Sequence, residues 1–130
     1  MTTLRQAQGE RPIGVIGAGA WGTALAQALA SDGSEVTLWA REPELVAEIN
    51  SSRSNSLFLP SARLAPSVRA TNKLADMAAL PVLLAVVPAQ FLASVISGLP
   101  DSPRELVLCA KGIEAGTGRL MSDVAAAAAP

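Results

Sequence analysis

Apolar positions along the chain fall into two kinds of pattern that alternate with each other. The first kind is the short unbroken run: Ile13–Ile16 (IGVI), Glu35–Ala40 (EVTLWA), Val68–Thr71 (VRAT), Val82–Val87 (VLLAVV) and Leu106–Ala110 (LVLCA). Ile13–Ile16 is apolar throughout and predicts a strand of a buried parallel sheet, and the other runs read as further strands. The second kind recurs at helical spacing. Ala24, Leu25, Ala28 and Leu29 predict a helix that ends where Gly33 would stand as C-cap. Pro43 opens another, with Leu45, Val46 and Ile49 on one face. Asn72–Leu80 predicts a short helix, Gln90–Ser97 another with Phe91, Leu92 and Val95 as its apolar residues, and a last one starts near Thr117. Ser51–Pro66 is rich in Ser and Pro and predicts a loop with at most one helical turn. Strands alternating with helices give an α/β fold with a doubly wound parallel sheet, in the order 3-2-1-4-5 with right-handed crossovers.

Between the first strand and the first helix lies IGAGAWGTA, a GxGxxG stretch at Gly17, Gly19 and Gly22. Alone the pattern is weak; followed by a helix and a second strand it fits the Rossmann-like dinucleotide fingerprint. Gly17 would permit the tight turn, Gly19 would let the backbone approach a pyrophosphate, and Gly22 would let helix and sheet pack closely. The helix N-terminus would then offer free N–H groups and partial positive charge to the phosphates. A packing turn with no dinucleotide is the alternative reading of the same glycines.

The end of the second strand bears on which dinucleotide. A carboxylate there would hold a ribose 2′-hydroxyl, but WARE places Ala40 and Arg41 in that region. A guanidinium suits a 2′-phosphate, so Arg41 favours NADP(H), with NAD(H) still open. Glu42 could reach the ribose or neutralise Arg41, and Arg41 could be an ordinary surface arginine. Lys111 stands at the carboxyl end of the fifth strand, the ligand side of an open α/β sheet, where substrate contact and a plain solvent lysine are equally compatible with its position. Phe91, behind Val87-Pro88, would line the same crevice or belong to a helix core.

Composition narrows the chemistry. With 130 residues, 50% hydrophobic and a net charge of −1, the chain is sized for one domain with a substantial core and has no dense basic run for nucleic acid. No apolar stretch is long enough to span a membrane. The sequence contains no histidine and no tyrosine, which excludes a histidine triad, a histidine metal site and a tyrosine acid within it; no metal site is expected. The single cysteine, Cys109, rules out an internal disulfide, fits a reducing cytoplasm, and reads as a buried thiol in a strand. Residues 1–10 are expected to form a disordered leader and 11–130 the folded domain.

A linked set of segments resembles the bacterial-type NAD(P)-dependent glycerol-3-phosphate dehydrogenases: IGAGAWGTALA, VTLWARE, NSLFLP followed by VRATNKL, AVVPAQF, and LVLCAKGIEAGTGRL. The set runs from Ile13 to about Asp123, and NSLFLP, VPAQF and CAKGIE in this order are its more specific parts. The resemblance implies reversible hydride transfer between dihydroxyacetone phosphate and sn-glycerol 3-phosphate, feeding phospholipid synthesis in the cytoplasm, with a homodimer as an option for the full-length form. It implies that Gly17, Gly19, Ala20 and Gly22 hold the pyrophosphate and Trp21 covers the cofactor. Arg41 would lie at the adenosine 2′ position, Phe91 near the nicotinamide end, and Lys111 against both cofactor and substrate. Ala20 replaces a serine frequent in the family, which removes one side-chain hydrogen bond and leaves the backbone donors. The family's proton-transfer lysine and its helical substrate domain are expected beyond Pro130, as is a sixth strand, so no catalytic residue is assigned here and a fragment of a longer enzyme is expected. A 3-hydroxyacid or ketopantoate reductase and a non-catalytic dinucleotide-binding module remain alternatives.

Overall fold

The computed structural model describes residues 12–100, 105–109 and 126–127. The leader expected over 1–10, Lys111, and the start of the last helix near Thr117 therefore lie outside the described residues. Five four-residue strands, β1 (Ile13–Ile16), β2 (Val36–Trp39), β3 (Val68–Thr71), β4 (Val82–Ala85) and β5 (Glu105–Leu108), pair in parallel in the order β3-β2-β1-β4-β5. The register is unbroken: Ile16, at the end of β1, pairs with Trp39 on one side and Ala85 on the other. That order reverses between β1 and β4, so the crevice of a doubly wound sheet opens at their carboxyl ends.

Side chains along each strand alternate between two cores, one on each face of the sheet. Val15, Val36, Leu38, Val68 and Ala70 meet helices α1 (Ala20–Ala30) and α2 (Pro43–Ser52) through Ala26, Ala30, Leu45 and Ile49. Ile16, Trp39, Leu83 and Ala85 meet Met77, Leu80 and helix α3 (Leu92–Ser97) through Leu92 and Ile96. The period of two along the strands thus feeds two layers of helix.

Several elements differ from the sequence expectation. On α1 the buried residues are Gly22, Thr23, Ala26 and Ala30, whereas Ala28 is exposed and Leu25 and Leu29 are half-buried. The helix turns its smallest side chains to the sheet because its first turn lies almost against the chain leaving β1. It ends at Ser31, and Gly33, at φ +92°, stands two residues further on and donates its N–H to the Ala30 carbonyl at 3.0 Å. The helix expected over Asn72–Leu80 is a single 3-10 turn, Leu74–Met77. Leu74, Met77 and Leu80 recur every third residue, the 3-10 period, and all three face the core. The Gln90–Ser97 helix likewise starts as a 3-10 turn at Ala89–Phe91 before α3. In the 51–66 loop an antiparallel bridge joins Asn55 and Leu59 in place of a helical turn. Strand β5 is an edge with Val107 47% exposed, and Cys109 follows it half-buried; the buried-strand reading of that thiol fails because no further strand covers β5 among the described residues.

Candidate functional site

A cleft of about 580 Å³ opens at the carboxyl end of the sheet, over the β1–β4 reversal. Its floor is the glycine-rich turn from Gly17 to Gly22, and its walls are the end of β2 (Trp39, Arg41, Glu42) and the segment after β4 (Val86 to Ala89, with Phe91). Phe58, Val95 and Cys109 complete the lining.

Two glycines of the turn are required by the fold, each for a different reason. Gly17 has φ +119°, and a Cβ there would lie 2.7 Å from the Val86 carbonyl oxygen. Its N–H donates to the Trp39 carbonyl at 3.0 Å, so the turn begins while still tied to the sheet. At Gly22 a Cβ would lie 1.8 Å from the Gly17 carbonyl oxygen, closer than any packing permits, and only glycine lets α1 start this near the strand. Gly19 is the converse case. Its backbone is ordinary (φ −68°, ψ −173°) and a Cβ would meet nothing within 4 Å. Neither strain nor packing demands glycine at 19; an added methyl would meet only open space beside the cleft that Gly19 lines.

Gly19 is also the N-cap of α1, so no side chain caps the helix, and its first turn carries no acidic residue. The opening N–H groups and the positive end of the helix dipole are left to whatever anion enters the cleft. The indole N–H of Trp39, a residue of the cleft wall that is nine-tenths buried, is enclosed and has no partner among the described residues. A buried orphan donor is costly unless a ligand or water completes it.

At the mouth of the cleft the Arg41 guanidinium carbon stands 5.6 Å from the centroid of the Phe91 ring, within cation–π range. Arg41 is exposed and Phe91 is 40% exposed, so both remain available to a ligand. Both residues belong to the cleft lining. Trp21, 63% exposed, projects from the first turn of α1 at the lip. Ala20 begins that helix and lines the cleft. The structure therefore brings Gly17, Gly19, Ala20, Trp21, Gly22, Arg41 and Phe91 around one cleft. Among the described residues there is no group of three His, Cys, Asp or Glu side chains placed to hold a metal ion, and no helix long and apolar enough to cross a membrane.

A polar cluster behind the turn was not legible in the sequence. Asn55 is fully buried and donates through Nδ2 to the Ala18 carbonyl at 3.0 Å and to Thr23 Oγ1 at 2.8 Å. Thr23, also fully buried, donates its hydroxyl to the same Ala18 carbonyl at 3.2 Å. Asn55 Oδ1 accepts from the Phe58 N–H at 3.1 Å, and its backbone carbonyl accepts from Leu59 N–H at 2.8 Å. The residues flanking Asn55 are held by Glu48 of α2, which accepts from Ser54 Oγ at 2.8 Å, from Ser56 N–H at 3.0 Å and from Ser56 Oγ at 3.0 Å. The Ser54 hydroxyl first, then the backbone and hydroxyl of Ser56, hold the Glu48 carboxyl below its ordinary value.

The doubly wound sheet with a glycine turn at its reversal point defines a Rossmann-type domain. The family model described as NAD-dependent glycerol-3-phosphate dehydrogenase N-terminus matches residues 12–130, and the chain belongs to that family. It is 66% identical over 118 residues to the glycerol-3-phosphate dehydrogenase [NAD(P)+] of Novosphingobium aromaticivorans, and 60% identical over 118 residues to that of Erythrobacter litoralis. Each alignment covers 91% of this chain and 36% of the relative. The chain thus spans about a third of the length of the curated relatives it matches. Among solved structures it resembles the glycerol-3-phosphate dehydrogenase of Coxiella burnetii, with a TM-score of 0.83 at 32% identity over 92% of this chain and 38% of that one.

Proposed function

We propose that this chain is the dinucleotide-binding part of a glycerol-3-phosphate dehydrogenase and takes NADP(H) in preference to NAD(H). The observation that carries the reading is Gly19, whose side-chain position faces open cleft at the uncapped start of α1. A pyrophosphate there would be held by the N–H groups opening α1, with Gly17 and Gly22 keeping the turn close to the sheet and Trp21 covering it. Arg41, at the carboxyl end of β2, would pair with the 2′-phosphate of NADP(H). In this arrangement Phe91 serves the adenosine end beside Arg41, because the two side chains stand together. Lys111 would reach the nicotinamide and substrate end.

When bound, the nicotinamide supplies or accepts the hydride exchanged between dihydroxyacetone phosphate and sn-glycerol 3-phosphate. The residues of this chain bind and orient it. The proton-transfer lysine, the substrate phosphate pocket and any dimer contact belong, in this reading, to a second, helical domain. The product would serve glycerophospholipid synthesis in the cytoplasm. The names of the relatives, which carry NAD(P)+, support a site open to both cofactors.

Titration with NADPH and with NADH tests the reading. NADPH is expected to bind more tightly. Arg41→Ala should weaken NADPH by about tenfold or more, the worth of one charge-assisted pair of about 1.5–3 kcal/mol, and leave NADH nearly unchanged. Equal loss for both cofactors would remove the 2′-phosphate role of Arg41. A folded protein that binds neither would overturn the dinucleotide reading.

A further inference from the structure

We infer that Asn55, with Thr23, is a positioning residue that locks the Ala18–Gly19 peptide so that the Gly19 N–H faces the cleft. The inference rests on the dinucleotide reading above. It starts from peptide geometry: the C=O of Ala18 and the N–H of Gly19 belong to one planar trans unit and point in opposite directions. Two buried side chains grip the oxygen of that unit, Asn55 at 3.0 Å and Thr23 at 3.2 Å. With the oxygen tied into the interior, the hydrogen on the far side is turned toward the space that a Cβ at Gly19 would leave empty. Gly19 has no side chain to hinder rotation of this peptide, so without such a grip the plane would turn more easily than elsewhere in the chain.

The hydrogen-bonding capacity of Asn55 fixes its own orientation. Both Nδ2 hydrogens are used, one on the Ala18 carbonyl and one on Thr23 Oγ1, and Oδ1 is used by the Phe58 N–H. Flipping the amide would set oxygen against the Ala18 oxygen and nitrogen against an N–H, losing the bonds to Ala18 and Phe58. Thr23 accepts from Asn55, and its own hydrogen is thereby directed to Ala18. Asn55 in turn is held by the turn it heads, with Glu48 binding Ser54 and Ser56 on either side of it. The same turn places Phe58 on the cleft wall. The segment around Asn55 therefore acts on the ligand in two ways: it presets a donor for the pyrophosphate, and it carries an aromatic ring to the cleft.

The test compares two ligands on the protein carrying this sequence. NADPH contains the pyrophosphate; adenosine 2′-monophosphate keeps the ribose phosphate and lacks it. Asn55→Ala is expected to weaken NADPH about tenfold and leave adenosine 2′-monophosphate within about twofold. Thr23→Val, which keeps the side-chain shape and removes the hydroxyl, should show the same split at about threefold. A role confined to stability would lower the unfolding midpoint and weaken both ligands by one factor, and that outcome overturns the proposal. Should Asn55→Ala fail to fold, Thr23→Val decides: wild-type NADPH affinity overturns the proposal, and the split supports it. A wild-type protein that fails to bind NADPH sinks the dinucleotide reading and this proposal together. A wild type that binds, with variants that show no split, sinks this proposal alone.

Discussion

Alanine at Gly19 and alanine at Gly22 are the same chemical change three residues apart, and the structure requires opposite consequences. At Gly22 the new methyl would lie 1.8 Å from the Gly17 carbonyl oxygen, a backbone atom that cannot swing aside. The start of α1 would have to lift from the strand, which disturbs the packing of Thr23, Ala26 and Ala30 behind it. Overpacking of this kind costs about 3 kcal/mol at the upper end of the usual range. At about 4 °C per kcal/mol for a domain of this size, Tm should fall by about 12 °C. At Gly19 the methyl meets nothing within 4 Å and the backbone angles suit any residue. Stability should stay within about 1 kcal/mol of wild type, the small gain in unfolded-state entropy offsetting a slightly poorer cap. The Gly19 methyl instead occupies the cleft and keeps a phosphate from the opening N–H groups. Losing one hydrogen bond to a charged oxygen, worth about 1.5–3 kcal/mol, weakens NADPH by about tenfold or more. Urea unfolding and a fluorescence titration with NADPH, run on both variants, separate the two effects. Should Gly19→Ala bind NADPH as tightly as wild type, the cleft above the glycine turn is not where the pyrophosphate lies.

Two predictions concern the scaffold. Asn50 donates to the Ala70 carbonyl at 3.0 Å and accepts from the Ala70 N–H at 2.8 Å, closing two backbone groups on edge strand β3; Asn50→Ala should cost about 1–2 kcal/mol in urea unfolding and raise aggregation, and an unchanged midpoint would show that water replaces the side chain freely. Glu48 has a carboxyl held below its ordinary 4.5 by Ser54 and Ser56. A depressed folded value means that its contribution is fully present above the unfolded value and is lost as pH falls through the lower folded one. Wild type should thus lose its Tm advantage over Glu48→Gln on going from pH 6 to pH 3, and a constant difference would refute the clamp.

What could be read from the sequence follows from how far apart the interacting residues lie. Most strands announce themselves locally by a short apolar run, and their parallel order follows from the alternation with helices. The glycine spacing is local too, and it located the cleft. Asn55 is different. In a Ser- and Pro-rich loop it looks like any turn residue, and its meaning comes from Ala18 and Thr23, 37 and 32 positions away. The NSLFLP segment was legible as a family mark, but only the folded chain places its asparagine under the glycine turn and its phenylalanine on the cleft. The Arg41–Phe91 contact likewise joins the segment after β2 to the 3-10 turn after β4, and nothing near either residue announces it.

The buried face of α1 has a separate cause, and it bears on the site. AWGTALAQALA is apolar or small nearly all the way round, so its periodicity selects no single side. Area alone would bury Leu25 and Leu29, since covering them removes more apolar surface from water. Distance overrules area here. The helix begins at Gly19, two residues after the Gly17 turn, and its axis is therefore pinned close to β1 before any leucine can act. At that separation only Gly22, Thr23, Ala26 and Ala30 fit beneath it, and the leucines are left on the flanks, half-buried. The close start that costs the leucines their burial is also what delivers the uncapped helix end to the cleft floor. The close start of α1 thus sets which of its faces is buried, ahead of hydrophobic content.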